Sequence, residues 1–344
     1  MRSVLTRLAS MLMLVSPSLA KADAISDFYH GKDVTFIVAY DVGGGYDQYA
    51  RLLARHIGRH IPGQPNIIVM NMPGAGGIRA ANNLFNVAPR NGAVLGMIDQ
   101  ALPLQELLEP ENVKASAAKF NWIGRLTSNA SILYAWSAAN FKTIRDAFDK
   151  ELIVASTGQN SRMMSTFMKN QLGMKLKIVT GYKGAAESRL AMERGEIHAL
   201  TQPWSVVRTE SQDWLRDGKI NLLLQIGVDK NADLPSVPLV VELARDENER
   251  QLLTLLAGGS RIGRSIASPP GQPPERVEAL RKAFLDTMND SAFLSEAKQM
   301  GLDLDPLPGA DLQAFIESST SVSPELVAKA RSLAAIDEAQ TPGK

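Results

Sequence analysis

The chain has 344 residues and contains no cysteine. Without cysteine there is no disulfide, no thiolate metal site, no thiol nucleophile and no N-terminal cysteine to carry a lipid anchor. A chain of this length buries enough surface to be stable without disulfides, so their absence is compatible with export. We therefore expect stability to come from packing and polar contacts alone.

Strong net charge and long apolar runs are also missing. The formal net charge is +1, and 21% of the residues are charged. A nucleic-acid-binding protein needs a basic stripe, so we expect no nucleic-acid partner. Beyond the N-terminus, no stretch reaches the ~18–20 apolar residues that a membrane-spanning helix needs. The length and composition predict a globular protein of about two domains.

Residues 1–22 predict a cleaved signal peptide. Two arginines precede a short apolar run, Met11–Val15, and small residues follow it. This order is typical of a secretory signal, and the apolar run is too short to span a bilayer. Cleavage after Ala20 and cleavage after Ala22 both fit the small-residue rule. In a cell with two membranes the mature chain is expected free in the periplasm, and not as a lipoprotein.

Apolar runs and helical patterns alternate along the chain. Val34–Ala39 predicts a buried strand, and a helix is expected from about residue 47 to residue 60. Asn66–Asn71 and Val94–Ile98 predict further strands, and the same order of elements recurs from Glu151 onward. Such alternation is typical of a mainly parallel sheet covered by helices. The sequence therefore predicts an α/β protein with two similar lobes.

Two glycine-rich loops each connect a predicted strand to a predicted helix. The first contains Gly43, Gly44 and Gly45, and the second contains Gly76 and Gly77. Ligands of open parallel sheets bind beyond the carboxyl ends of the strands, where helix N-termini offer free N–H groups to anions. The loops thus predict an anion cradle, which belongs either to a nucleotide enzyme or to a binding protein.

Motifs of nucleotide enzymes and hydrolases are absent. Neither "GGGYDQ" nor "GAGGIR" completes the Rossmann fingerprint, and there is no P-loop or G-x-S-x-G elbow. His56 and His60 have the spacing of a helical metal pair, but Arg59 stands where a zinc protease needs glutamate. We therefore expect a solvated basic helix face, no metal, no cofactor and no enzymatic activity.

Four polar or aromatic side chains stand out near the predicted loops. Asp47 lies where the first helix is expected to begin, so it is predicted to be the N-cap. Tyr46, on the same loop, is a ligand candidate that could equally pack against its lobe. Gln202 and Trp204 end a predicted strand of the second lobe and suit a cleft wall, although the tryptophan could also belong to the core.

Three long segments resemble one family of binding proteins. The stretch from Gly43 to Leu84, "GGGYDQYARLLARHIGRHIPGQPNIIVMNMPGAGGIRAANNL", resembles the two signature loops of the Bug receptors. These are the substrate-binding proteins of tripartite tricarboxylate transporters. "VTGYKGAAESRLAMERGEI" and "SIASPPGQPPERVEALRKAFLDTMND" are similar to two further family segments. The similarity runs over essentially the whole mature chain.

The resemblance implies a type 2 periplasmic binding protein fold. Two α/β lobes with mainly parallel sheets are joined by two hinge strands and close on a ligand between them. Carried over to this chain, residues 23–127 and 226–344 form the first lobe, and residues 128–225 form the second. We expect a monomer without a cofactor.

The resemblance also implies which residues bind the ligand. A ligand carboxylate is held by backbone amides and ordered waters of the two first-lobe loops, at Gly43, Gly44, Gly45, Tyr46, Ala75, Gly76 and Gly77, and Tyr40 is a further ligand-binding residue. The second lobe closes over it with Thr157, Gly158, Asn160, Ser161, Tyr182, Lys183 and Gly184, beside the cleft-wall candidates. Lys183 either meets a second carboxylate or is a surface lysine.

The sequence departs from the family pattern at two places. Asp41 and Val42 stand where many relatives have a proline pair, and His198 and Gln202 stand where many have acidic residues. The second departure weakens the case for an amino-acid ligand and leaves the identity of the ligand open.

The expected function is a periplasmic receptor that presents a small organic anion, a carboxylate, to a two-subunit membrane permease. The alternatives are a receptor feeding a sensor kinase and a degenerate α/β enzyme acting on a carboxylate.

Overall fold

The structure is a computed structural model that describes residues 24–156, 159–182 and 185–339. The predicted signal peptide and both cleavage positions lie outside the described residues. Four predicted ligand-binding residues also lie outside them: Thr157, Gly158, Lys183 and Gly184. No helix within the described ranges is long and apolar enough to cross a membrane.

The first sheet contains six strands. They are β1 (Asp33–Val38), β2 (Asn66–Asn71), β3 (Val94–Met97), β4 (Asn121–Arg125), β10 (Ser265–Ser268) and β11 (Leu307–Pro308). Their order is β11-β4-β10-β3-β1-β2. β1 pairs in parallel with β2 and β3, whereas β10 is antiparallel to both β3 and β4. The parallel part corresponds to the three strands predicted at the start of the chain.

The second sheet contains five strands. They are β5 (Ser131–Trp136), β6 (Leu152–Ala155), β7 (Leu176–Val179), β8 (Ala199–Pro203) and β9 (Ile220–Ile226). Their order is β7-β6-β8-β5-β9, with β6 parallel to β7 and β8 and with β5 antiparallel to β8 and β9. The prediction of two α/β units is confirmed, and each sheet also contains antiparallel strands.

Helices surround both sheets. In chain order they are α1 (residues 24–29), α2 (Gly45–Ile57), α3 (Ile78–Asn86), α4 (Leu102–Leu108), α5 (Asp146–Asp149), α6 (Gln159–Asn170), α7 (Ala185–Glu193), α8 (Trp204–Glu210), α9 (Gln212–Arg216), α10 (Glu247–Ala257), α11 (Gly259–Ile262), α12 (Pro274–Met288), α13 (Ser291–Gln299), α14 (Gly309–Thr320) and α15 (Pro324–Ala339). α12 begins at Pro274 as predicted, because proline at the first helical turn loses no intrahelical hydrogen bond.

The last third of the chain packs against both sheets. α14 lies against β4 of the first sheet, whereas α15 contacts α6, which covers the second. Leu252 of α10 and Leu326 of α15 belong to the same buried apolar cluster as Phe167 of α6. Helices α10 and α15 thus pack the final segment of the chain against the second sheet as well. The lobe boundaries at residues 127 and 226 stay a prediction.

The basic face of α2 is solvated at its arginines, as predicted, since the side chains of Arg55 and Arg59 are 46% and 44% exposed, but the prediction fails for His56, and the face pairs with carboxylates. Arg55 and His56 both contact the carboxylate of Glu296, at 2.6 Å and 2.5 Å, and Arg59 lies 2.6 Å from the carboxylate of Asp290. His56 is only 6% exposed. The two acidic residues lie on or next to α13, so the tertiary fold places carboxylates from a distant segment against this face.

Asp290 is expected to stabilise the fold at neutral pH and to lose that effect in acid. Hydrogen bonds from His60 and from the backbone N–H groups of α13 hold the pKa of its carboxyl well below the usual range. A group with a depressed pKa stabilises the folded state above its unfolded pKa of ~3.9, and the effect is lost as pH falls toward the folded value. Asp290→Asn should therefore flatten the fall in unfolding free energy between about pH 4 and pH 2.

Urea denaturation at a series of pH values measures this slope. The matched comparison is Asp286→Asn, which changes a surface aspartate paired with Lys282, and we expect Asp290→Asn to flatten the slope more than this variant does. A wild-type slope in Asp290→Asn would contradict the prediction.

Candidate functional site

The carboxyl ends of parallel strands from both sheets border a cavity of about 420 Å³, hereafter the first cavity. Tyr40 and Gly76, which follow β1 and β2, line it from the first sheet. Ser161 of α6 and Thr201 of β8 line it from the second. The cavity therefore lies where open α/β sheets bind their ligands.

The second glycine loop adopts a backbone conformation that favours glycine. Ala75, Gly76 and Gly77 all have positive φ angles, of 47°, 60° and 92°. A Cβ atom at Gly77 would lie 2.8 Å from the Cβ of Asp99, so a side chain there would clash. α3 begins directly after this loop without a side-chain cap. No side chain caps its first N–H groups, although that of Ile78 donates to the Ala75 carbonyl and that of Arg79 lies 3.5 Å from the Gly74 carbonyl, at a loop that reaches the first cavity.

The first glycine loop also leads into a helix without a side-chain cap. Gly44, with extended backbone angles, is the N-cap of α2, and Asp47 is the third helical residue. The prediction that Asp47 is the N-cap is therefore wrong, because the helix begins two residues earlier than expected. The Asp47 carboxylate instead accepts hydrogen bonds from the Gly43 N–H at 2.8 Å and from Arg51 and Asn71, both at 2.9 Å.

These hydrogen bonds fix the shape of the first loop. Burial raises the pKa of Asp47, but the hydrogen bonds from Arg51, the Gly43 N–H and Asn71 outweigh it, and the pKa lies below the usual range. Asp47 is thus ionised at neutral pH and holds the Gly43 N–H. The backbone donor of Gly43 is occupied by this contact.

A buried carboxylate, Asp99, organises the wall between the two loops. It is 7% exposed, and its Oδ2 accepts hydrogen bonds from the hydroxyls of Tyr40 at 2.7 Å and Tyr46 at 3.0 Å. Its Oδ1 accepts from the N–H of Ala101 at 2.8 Å. Burial, followed by the Asp99 charge, raises the pKa of both tyrosines far above the usual range, so both hydroxyls stay protonated and donate.

Asp99 is absent from the predicted site, although the sequence contains a signal for it. It follows β3 at the carboxyl end of a parallel strand, and such positions face the ligand in open sheets.

Tyr46 is a predicted ligand contact. The residue is 8% exposed, and its hydroxyl also accepts from the Gln100 N–H at 3.1 Å, so its polar atom already has protein partners.

Arg264 supplies a cation next to the first glycine loop. Its guanidinium lies 4.0 Å from the ring centre of Tyr46, and its Nη1 is 3.4 Å from the Gln100 side-chain oxygen. A Cβ atom on Gly45 would lie 3.7 Å from its Nη2. No carboxylate of the residues that the structure describes lies within 4.0 Å of this group. Its charge is thus available to an anion, and nothing local in the sequence indicates it.

Arg264 lines a second cavity, of about 600 Å³. Trp204 lines it too, with its indole N–H 3.4 Å from the carboxylate of Asp233. Asn129 and Ser260 border both cavities. They belong to the two segments that connect the sheets, so the cavities lie on either side of these connections.

Gln202 points away from the first cavity. Its side-chain oxygen accepts a 2.6 Å hydrogen bond from the buried Tyr134 hydroxyl, whereas its neighbours Thr201 and Pro203 line the cavity. Successive side chains of a strand point to opposite faces, which explains the difference. The sequence points to β8, and the residues of β8 that line the first cavity are Thr201 and Pro203 rather than Gln202.

The remaining described residues that were predicted to bind ligand in the second lobe differ in whether they line a cavity. Ser161 lines the first cavity, with its hydroxyl 2.9 Å from that of Ser156. Asn160 lies in the first turn of α6. Tyr182 is partly buried and lines neither cavity. Among residues 24–156, 159–182 and 185–339, no group of three or more His, Cys, Asp or Glu side chains is arranged to hold a metal ion.

Comparison with known sequences identifies relatives of this chain. The sequence profile of the tripartite tricarboxylate transporter family receptors matches residues 49–331. A protein of Cupriavidus necator, described as the UPF0065 protein in the gbd 5' region, is 28% identical over 280 residues, which is 78% of either chain. The profile match includes every strand of the two sheets except β1.

Solved structures share the fold. A TctC solute-binding protein from Polaromonas superimposes with a TM-score of 0.69 at 21% identity, covering 90% of this chain and 99% of its own. An R. palustris protein solved with adipate gives a TM-score of 0.58 at 18% identity, covering 88% and 98%. The expected type 2 periplasmic binding protein fold is confirmed by this likeness and by the two mixed sheets. The profile match over most of its length shows that the chain belongs to the receptor family of the tripartite tricarboxylate transporters.

Proposed function

We propose that this protein is a periplasmic receptor that binds a small organic carboxylate between its two lobes and presents it to a two-subunit membrane permease. The observation that carries the proposal is the first cavity, bordered by a glycine loop and an uncapped helix, in a member of a transporter-receptor family. The adipate-bound structure of a fold relative supports a carboxylate. Residues 1–22 would direct export and then be removed.

The ligand carboxylate is proposed to meet backbone N–H groups and one cation. Each uncapped helix N-terminus contributes ~0.3–1 kcal/mol to anion binding, and up to ~2 kcal/mol when partly buried. Micromolar affinity corresponds to ~8 kcal/mol, so α2 and α3 need further contacts. Charge-assisted hydrogen bonds from Arg264 are about twice as strong as neutral ones. Thr157, Gly158, Lys183 and Gly184 stay proposed ligand contacts of the second lobe.

Binding rather than catalysis is the proposed activity. The proposed lobes, residues 23–127 with 226–344 and residues 128–225, would shift toward a closed population when ligand bridges them. Among the described residues of the first cavity, no histidine lies beside a serine or threonine to activate it as a nucleophile. Transport receptors need only capture and release their ligand.

Thermal unfolding of residues 23–344 against carboxylates, amino acids, sugars and nucleotides tests the proposal. A ligand at 100-fold its Kd adds ~2.7 kcal/mol, so we expect one or more carboxylates to raise Tm by a few degrees. Stabilisation by sugars or nucleotides alone would contradict it.

Uptake of the stabilising carboxylate then tests the partner. Deleting the gene should abolish high-affinity uptake of that compound. Intact uptake with a lost transcriptional response would instead assign the receptor to a sensor kinase.

A further inference from the structure

The side chain of Gln100 lies between the two cavities. Gln100 follows Asp99 after the carboxyl end of β3 and lines the first cavity. Its Oε1 accepts a 2.9 Å hydrogen bond from the Asn129 side-chain nitrogen and lies 3.4 Å from Nη1 of Arg264, which lines the second cavity. Asn129 lies in the segment between β4 and β5, so the Gln100 amide contacts a connection between the two sheets.

Arg264 determines which way the Gln100 amide points. The nitrogen and the oxygen of a glutamine amide have almost the same shape, but a guanidinium carries only donors. The atom that faces Arg264 must therefore be the oxygen. Because the two atoms of a planar amide point in different directions, Nε2 is directed away from Arg264. Its two N–H groups have no hydrogen-bond acceptor among the residues that the structure describes.

The charge of Arg264 strengthens Gln100 as a donor. A guanidinium next to Oε1 polarises the amide and makes its N–H groups better donors, since hydrogen bonds in a chain reinforce one another. A carboxylate bound at Nε2 completes a chain that runs from Arg264 through Gln100 to the ligand. The cation that lines the second cavity thus also favours an anion in the first.

We infer that Gln100 is a ligand-binding residue whose Nε2 donates a hydrogen bond to the ligand carboxylate in the first cavity, with its orientation fixed by Arg264 and Asn129. The inference rests on the proposed function and adds to that site a residue outside both glycine loops. A hydrogen bond to a charged group corresponds to roughly a tenfold to 100-fold change in Kd.

Isothermal titration of residues 23–344 with acetate, succinate, adipate and citrate gives the reference affinity, and the acid that binds most tightly serves for the variants. Gln100→Met and Gln100→Lys both remove the oxygen that Asn129 and Arg264 contact, but only lysine supplies an N–H donor of similar reach. We expect Gln100→Met to bind at least about tenfold more weakly than the wild type. Gln100→Lys should bind at least about tenfold more tightly than Gln100→Met. Equal affinities of the two variants would give Gln100 a purely structural role and overturn the inference.

Gln299→Lys is the control for added charge. It changes an exposed glutamine of α13 that lines neither cavity, so it should bind with wild-type affinity. A gain there as large as that of Gln100→Lys over Gln100→Met would show a general effect of charge and would also overturn the inference.

Gln100→Glu decides the case if the lysine variant does not fold. Its carboxylate keeps oxygen acceptors for Asn129 and Arg264 but replaces the N–H donors with a negative charge. We expect Gln100→Glu to stay folded and to bind more weakly than Gln100→Met, because like charges repel. Tighter binding by Gln100→Glu than by Gln100→Met would show that only the acceptor oxygen matters, against the inference. If none of these acids binds the wild-type chain, the proposed function fails and the inference fails with it.

Discussion

Gly76→Val is expected to reduce carboxylate affinity about 100-fold while the chain still folds. Gly76 has a φ of 60°, which costs a residue with a side chain ~1–2 kcal/mol, and a Cβ there lies 3.3 Å from the Gln105 amide nitrogen. The valine methyl groups would also occupy the rim of the first cavity, and such overpacking costs a further ~1–3 kcal/mol. The strain lowers stability with and without ligand, whereas the steric clash at the rim acts on the bound state, and ~2.8 kcal/mol of the latter corresponds to about two orders of magnitude in Kd.

Gly218→Val separates backbone strain from loss of the binding surface. Gly218 has a φ of 63°, a Cβ atom there would have no atom within 4 Å, and the residue lines neither cavity. We expect this variant to lose similar thermal stability yet to bind the carboxylate with wild-type affinity. Calorimetric titration of both variants measures the difference. Wild-type affinity in Gly76→Val would disprove the proposed cradle.

Asp99→Ala is expected to lower the free energy of unfolding by about 2–5 kcal/mol. The substitution leaves the hydroxyls of Tyr40 and Tyr46 without their shared acceptor, at ~1–3 kcal/mol for each buried group that stays unpaired. The two rings lie 4.6 Å apart between centres, and Arg264 lies over Tyr46. Loss of Asp99 should therefore also disturb the position of the cation and weaken carboxylate binding.

Urea denaturation with matched variants resolves this effect. Tyr40→Phe removes one donor to Asp99, and Tyr46→Phe removes the other and also leaves the Gln100 N–H without its acceptor, so Tyr40→Phe should be the milder change and each should cost less than Asp99→Ala. Their double-mutant cycles with Asp99→Ala should show a coupling of about 0.5–3 kcal/mol, as for residues in contact. Asp33→Ala changes an exposed aspartate and should stay within ±0.5 kcal/mol or so. If Asp99→Ala lowers the free energy of unfolding as little as Asp33→Ala does, Asp99 does not have the proposed role as the shared acceptor of Tyr40 and Tyr46.

Local patterns determined much of the scaffold. Strand β2 has the predicted bounds, Asn66–Asn71, because its apolar run is flanked by a turn and a glycine loop. α12 begins at Pro274, where proline suits the first helical turn. The family membership and its fold also followed from the sequence, because the glycine loops lie within long matching segments.

Only the tertiary structure decided which side chains form the site. The sequence indicates Gln202 rather than Thr201, because a strand's position along the chain does not show which of its faces meets the cavity. Asp99 and Arg264 come from the end of β3 and the start of β10, and each meets the glycine loops only after folding. Likewise, Glu296 of α13 pairs with Arg55 and with the buried His56 on the basic face of α2. Secondary-structure elements, turns and glycine conformations depend on neighbouring residues, so the sequence predicts them. Charge pairing and cavity lining depend on contacts between distant segments, which only the folded chain brings together.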